Sequence, residues 1–273
     1  MNTLAESLPP ALDADLGRRF GGLRRLYGDA GYARIRAARV AIVGVGGVGS
    51  WCAEALARSG IASLTLIDLD HVAESNINRQ VQALGATLGQ AKVQALRERI
   101  ADIHPGCDVL CVEAFVDETN WPMLLPQPVD VVIDACDQVR AKAAIAAWAL
   151  HTRSTLVVAG AAGGKRRPQE VDVDDLGLVT HDPLLAALRQ RLRKQHGAAR
   201  SGKIGVRCVF SRESVAPPAP DEAACEVGEG SGAAAVDERR DNTLNCHGYG
   251  STVVVTASVG MAAAGEVIAQ LLK

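Results

Sequence analysis

Arg39-Val40-Ala41-Ile42-Val43-Gly44-Val45-Gly46-Gly47-Val48-Gly49-Ser50-Trp51-Cys52-Ala53-Glu54-Ala55-Leu56-Ala57-Arg58 decides the fold of this chain. An apolar run of strand-forming residues breaks into a glycine turn and continues with helix formers. Leu64-Thr65-Leu66-Ile67 then repeats the apolar run and ends at Asp68. The pattern is strand, turn, helix, strand. Gly44 allows the tight turn, Gly46 lets the backbone approach a phosphate, and Gly49 brings the helix close to the strand. Backbone N–H groups at the helix start face an anion, and an acidic residue at the end of the second strand suits a ribose.

Outward from this unit, short apolar runs alternate with helical patterns. Strands are expected at Val109–Val112, Val129–Ile133 and Thr155–Ala159, and helices at Asp29–Ala37, Gly89–Ile103 and Ala141–Leu150. Such alternation predicts a Rossmann-like, doubly wound α/β sheet, parallel in its N-terminal part, with ligands beyond the carboxyl ends of the strands. Beyond Gly160 the pattern changes to a strand at Val171–Val173, a helix at Pro183–Lys194, a strand at Lys203–Phe210 and a closing apolar helix within Ser251–Leu272. Residues 1–17 are expected to be disordered and 18–273 to form one domain. Within it, 18–160 is the nucleotide-binding half, and 161–273 the substrate and dimer half with a mobile loop at 211–241. That loop is rich in Ala, Pro, Gly and Glu and has no apolar period.

Composition narrows the function. The 273 residues are 48% apolar with a net charge of −2, so neither nucleic acid nor membrane attracts the chain as a whole, and a polyanion site must be local. Arg189, Arg191, Arg193 and Lys194 form such a local run, with Lys165-Arg166-Arg167 as a second. Seven cysteines include no C-x-x-C pair, which argues against a structural zinc site. The odd count and the absence of a leader pattern at the N-terminus predict a reducing, cytoplasmic setting. The closing helix is apolar but broken by Thr, Ser, Gly and Glu266, which predicts a buried core helix rather than stable membrane insertion.

The motif Gly-x-Gly-Gly-x-Gly-Ser at 44–50 is followed in order by Asp68-x-Asp70, Ser75-Asn76-x-Asn78-Arg79-Gln80, Lys92 and Asp134-x-x-Asp137. In these residues the chain resembles the ubiquitin-activating-enzyme-like (ThiF-type) adenylating family. Arg19-Phe20-Gly21-Gly22, Gly160-Ala161-x-Gly163-Gly164 and Gly205-Val206-x-Cys208-Val209-Phe210-Ser211 extend the likeness toward the branch that dehydrates threonylcarbamoyladenosine in tRNA. The resemblance implies a homodimer, ATP with Mg²⁺ and a possible monovalent cation, tRNA as substrate, and a link to a cysteine-desulfurase system. It implies that Gly44, Gly46, Gly47, Gly49, Asp68, Asp70, Asn76, Arg79, Gln80 and Lys92 hold the nucleotide. It makes Arg79, Lys92 and Asp137 the catalytic set, with Asp137 facing the metal. Relatives carry an arginine for the partner's nucleotide where Gly22 stands, and Arg19, Arg24 or Arg25 would have to replace it.

The residues by themselves leave other readings open. An activator of a ubiquitin-like sulfur-carrier protein would share the nucleotide motifs but use a protein substrate and, usually, zinc cysteines. A nicotinamide-dependent oxidoreductase rests on the glycine turn alone and leaves Asn76–Gln80 and Lys92 unexplained. A non-catalytic scaffold would keep the fold without binding ATP.

Overall fold

The structure, a computed structural model, describes residues 14–217 and 249–273. The chain opens with α1 (Leu16–Ala37), capped by Asp15, whose carboxylate accepts from the Arg18 amide at 3.0 Å. Next come β1 (Arg39–Val43), α2 (Gly49–Arg58), β2 (Ser63–Ile67), α3 (Lys92–Ile103) and β3 (Asp108–Val112). The second half-turn of the winding is β4 (Val131–Asp134), α4 (Val139–Thr152) and β5 (Thr155–Ala159). Then follow β6 (Val171–Asp175), α5 (Pro183–Gln195), β7 (Arg207–Ser211) and α6 (Val253–Leu271).

One seven-stranded sheet runs in the order β3-β2-β1-β4-β5-β7-β6. Every neighbouring pair is parallel except β6 with β7. The doubly wound expectation therefore holds, and strands from both halves of the chain share the sheet. The central strands are buried on both faces, which is why they read as unbroken apolar runs. In β1, Val40 and Ile42 face one core cluster with α2, α3 and α6, while Ala41 and Val43 face another with α4 and α5. Edge strands β3 and β6 are only half buried.

Several boundaries differ from the sequence reading. The first helix begins at Leu16, so residues 16 and 17 are helical rather than frayed; residues 1–13 lie outside the described part. Gly28, at φ 70°, divides it, and the expected helix is its second half. Weak helix formers at Gly21-Gly22 hid the first half. Phe20 anchors it, buried edge-on against His104 at 4.8 Å between ring centroids. The strand expected from Lys203 starts only at Arg207, because Asp175 takes the Ile204 and Gly205 amides into a turn, both at 2.7 Å. Of the loop expected at 211–241, Ser211 closes β7, and residues 218–241 lie outside the described part.

The closing helix α6 has the length and composition of a membrane span, with a mean hydropathy of 1.5. Val255, Val259, Ala263, Ala264 and Val267 are nonetheless buried in the core beside α2. Small residues on both helices let the two backbones pack closely.

Candidate functional site

The strand order reverses between β1 and β4, so the connections leaving these neighbours diverge and open a crevice at their carboxyl ends. The glycine turn lies there. Gly44 sits at φ +83°, and a Cβ on it would come within 2.9 Å of the Cys136 amide nitrogen; one on Gly49 would strike the Gly44 carbonyl at 1.8 Å. Turn, helix start and the bend after β4 are thus fitted to one another at glycine dimensions. Among the described residues, the amides of Gly46, Gly47 and Val48 have no backbone acceptor. They remain available to an anion at the start of α2, where the helix dipole favours negative charge.

Asp68, at the end of β2, accepts from the Val45 amide at 2.8 Å and the Asp70 amide at 2.9 Å. Its carboxyl therefore braces the glycine turn from below. Burial raises its pKa above the ordinary aspartate value, while the nearby Lys92 charge opposes the rise. Lys92 opens α3 with its ammonium 2.7 Å from Asp70, and its amide donates to the Asp70 carbonyl at 3.0 Å. Lys92 is only 6% exposed, so its charge is aimed by Asp70 rather than left to solvent. This makes Asp70 the orienting partner of Lys92.

The amide-rich loop after β2 is held by its own polar groups. Asn76 is buried, and its carbonyl oxygen accepts from the Ala73 amide at 3.1 Å. Arg79 donates from Nη1 to the Ser75 carbonyl at 2.6 Å and to Asn78 at 2.9 Å, which orders its guanidinium. The Arg79 carbonyl receives the Trp51 indole at 2.9 Å, and Asn78 donates to the Ser251 carbonyl at 3.0 Å. Gln80 is buried beside Gly46 and accepts from Gln82, which in turn donates to the Val45 carbonyl at 2.9 Å. The loop thus clamps the glycine turn on its open side. Asp137 lies across the crevice on the bend after β4, exposed and without a side-chain hydrogen bond among the described residues. The structure brings together the glycines, Asp68, Asp70, Asn76, Arg79, Gln80, Lys92 and Asp137 at one sheet edge.

Sequence reasoning missed three holders of this site. Trp51, inside the stretch that decides the fold, and Gln82, just past the Ser75–Gln80 motif, were given no role there. Lys142 was given no role either, yet it is fully buried on Asp134 at 3.1 Å. A lysine on the apolar face of a helix, facing a strand that ends in aspartate, was the available signal.

The basic run lies elsewhere. Asp182 caps α5 at the carboxyl edge by accepting from Ala161 and Leu185 at 2.9 and 3.0 Å. Over its 13 residues α5 runs back about 20 Å. Arg189 gives Nη1 to the Leu176 and Val179 carbonyls at 3.0 and 2.9 Å, and Arg191 pairs with Glu118 at 2.8 Å. Arg193 and Lys194 line an open concavity of about 900 Å³ together with Arg189 and Arg200. Lys165 is not a surface cation at all. It is buried at 2% exposure, donates to the Ser211 carbonyl at 2.9 Å and lies 3.9 Å from Asp182; burial lowers its pKa against the pull of Asp182 and Glu213.

The described cysteines are all free thiols. Burial pushes Cys107 up to about 12, and raises Cys52, Cys111, Cys136 and Cys208 as well, so none is a ready thiolate. Cys225 and Cys246 lie outside the described residues. Among the described residues there is no group of three or more potential metal-binding side chains.

Residues 20–273 match the model of the ThiF family. The chain belongs to the ThiF family. Within this family it is 40% identical over 258 residues to the tRNA threonylcarbamoyladenosine dehydratase of Escherichia coli K12, covering 93% of this chain and 94% of that protein. Its fold matches the solved structure of the E. coli dehydratase in complex with ATP, with a TM-score of 0.80 at 37% identity over 95% and 96% of the two chains. The complex of that enzyme with AMP matches with a TM-score of 0.81 at 38% identity, again over 95% and 96%. Those ThiF-family relatives cover 93–95% of this chain.

Proposed function

We propose that this ThiF-family chain is an ATP-dependent tRNA threonylcarbamoyladenosine dehydratase that works through an acyl-adenylate. The observation that carries the reading is the convergence of unpaired turn amides, Asp68, the Asp70-aimed Lys92 and Arg79 at one sheet edge. A relative with 40% identity over almost the whole chain bears the dehydratase name, and that enzyme has been solved with ATP and with AMP.

The chemistry calls for this arrangement. The threonyl carboxylate of the modified adenosine is a poor electrophile. Its oxygen attacks the α-phosphorus of ATP, the bond to the β-phosphate breaks, and pyrophosphate leaves. The carbamoyl group of the same side chain then attacks the activated carbonyl, AMP leaves with the carboxylate oxygen, and one proton is released. The sum is loss of water. Because nucleophile and electrophile share one side chain, the second step enjoys a high effective concentration. In the first step charge gathers on the phosphates, and prepositioned donors stabilise it.

In this reading the turn amides and Gly44–Gly49 lie along the phosphates, and Asp68 meets the ribose. Lys92 and Arg79 neutralise the triphosphate, with Asn76 and Gln80 shaping the loop around it. Asp137, whose carboxylate has no competing partner among the described residues, would hold Mg²⁺, which supplies charge neutralisation to ATP. The half up to residue 160 serves the nucleotide, and the half from 161 serves tRNA and a second copy of the chain. Arg19 is committed to the Asp102 and Ile103 carbonyls at 2.8 and 2.7 Å, and Arg24 pairs with Asp29 at 2.9 Å. Of the three arginines considered for a partner's nucleotide in a homodimer, that leaves Arg25. A tRNA substrate implies a cytoplasmic reaction.

Nucleoside mass spectrometry of tRNA carrying threonylcarbamoyladenosine, treated with protein, ATP and Mg²⁺, tests the proposal. Loss of one water from the nucleoside, with AMP and pyrophosphate formed in equal amounts, is expected. ATP cleavage only when a ubiquitin-like carrier protein is added would overturn it in favour of a carrier activator.

A further inference from the structure

Asp134 and Lys142 are both fully buried, beneath the crevice rather than in it. We infer that this pair positions the reaction by locking the bend after β4 against the glycine turn, so that Asp137 is presented at a fixed place. The inference rests on the proposed function only for its kinetic readout.

The geometry is specific. The Lys142 ammonium, on α4, donates to the Asp134 carboxylate at 3.1 Å, the Asp134 carbonyl at 3.2 Å and the Ala159 carbonyl at 2.9 Å. One side chain thus uses all three of its donors to tie the carboxyl ends of two adjacent strands, β4 and β5. The same Asp134 oxygen accepts from the Cys136 amide at 3.2 Å and the Cys136 thiol at 2.9 Å. This fixes the direction in which the chain leaves the sheet. The Ala135 amide donates to the Val43 carbonyl at 2.8 Å, and the Cys136 amide nitrogen lies at the distance that only a glycine at 44 tolerates. Asp137 is the next residue along.

Stability alone does not require a charged pair in this place. A buried ion pair is often matched or surpassed by well-packed apolar side chains of similar volume. What apolar side chains cannot do is hold three backbone segments in register through directed bonds. The other oxygen of Asp134 has no partner at all among the described residues, so the pair is arranged around its shared oxygen and not for complete satisfaction. Glu54 offers a contrast. It is equally buried and pairs with Arg58 and Arg99 at 2.7 and 2.6 Å, but it joins α2 to α3 away from the crevice.

The test replaces both partners, Asp134→Leu with Lys142→Met, because removing one alone strands a buried charge and can unfold the chain. Native-state hydrogen exchange at the Cys136 amide should accelerate roughly tenfold or more while Ile42 and Val43 stay protected. The dehydration kcat should fall roughly tenfold or more, with the KM for ATP changed by less than about threefold. A control pair, Glu54→Leu with Arg99→Met, should leave the kcat and the Cys136 exchange unchanged. Unchanged exchange at Cys136, or a wild-type kcat, in a folded Asp134–Lys142 double variant overturns the inference. If the wild-type protein forms no dehydrated nucleoside, the functional reading falls, and the exchange measurement, which needs no substrate, still decides the positioning role.

Discussion

The two edges of the sheet use the same residue types to opposite ends. At the amino edge several charges are spent on the chain's own backbone. Arg19 closes the carbonyls at the end of α3, Asp130 takes the Arg39 amide at 2.8 Å, and Asp175 takes three amides before β7. At the carboxyl edge the charges are braced from behind and left open in front. Asp70 aims Lys92, and Ser75 and Asn78 aim Arg79. Among the described residues, the turn amides and Asp137 keep their capacity free. A polar group whose bonds are completed by its own chain is part of the fold; one that is oriented yet incomplete is available to a ligand.

The largest effect should come from removing what is aimed but incomplete. Lys92→Ala and Arg79→Ala should each lower ATP-dependent turnover on the order of 10²–10³-fold, as expected when a transition-state charge loses a fixed donor. Arg19→Ala, at the other edge, should leave kcat within about twofold and instead lower stability by roughly 1–3 kcal/mol, because two carbonyls lose a charged donor. Turnover assays beside urea melts check both halves. A Lys92→Ala enzyme with normal turnover would break the comparison outright.

The basic helix α5 sharpens it, because its cations divide by the same criterion. Arg189 and Arg191 are already bonded to Leu176, Val179 and Glu118, whereas Lys194 and Arg200 are exposed. Replacing Lys194 and Arg200 together by Ala, and leaving Arg193 on the Ala199 carbonyl at 2.9 Å, should reduce the magnitude of the salt slope of tRNA binding by ~0.7–0.9 for every phosphate that is no longer neutralised. Arg189→Ala should mainly cost stability, by roughly 1–2 kcal/mol, through the two carbonyls it leaves without a cation. Filter binding across a salt series separates the two. An unchanged slope in the double variant would remove this basic end of α5 from the tRNA surface.

This division also explains how much could be read in advance. The strands and the nucleotide turn were legible because each is written in a few consecutive residues. Val40–Val43 shows its burial by being uniformly apolar, and Gly44 and Gly49 show their turn by lacking side chains. Lys92 was singled out by its place in the ordered motifs that carry the resemblance. Lys142, Lys165 and Arg189 were not, since their roles depend on carbonyls 10 to 46 positions away that come near only after the sheet has formed. A lysine in a basic-looking loop and a lysine in a core look alike until Ser211 and Asp182 are folded against it. The first half of α1 was hidden for a related reason, because its order comes from Phe20 on His104 rather than from its own glycine-rich sequence.

The smallest effect probes the amino edge through pH. His104 is fully buried at the end of α3, and burial, reinforced by the Arg36 and Arg19 charges, lowers its pKa from 6.5 to about 4. Between those values the unfolded chain binds a proton that the folded chain refuses. Stability from this residue is therefore complete above pH 6.5 and declines as the pH falls toward 4, with a limiting slope of about 1.4 kcal/mol per pH unit. Urea melts at steps from pH 7 to pH 4.5, compared with His104→Gln, should show a shallower decline in the variant. Dehydratase kcat/KM, corrected for the folded fraction, should follow the same pH profile in both proteins, because His104 lies at the edge away from the nucleotide crevice. A changed profile in the variant would mean that the two edges are coupled, and that the division between completed and open polar groups is not a division between structure and function.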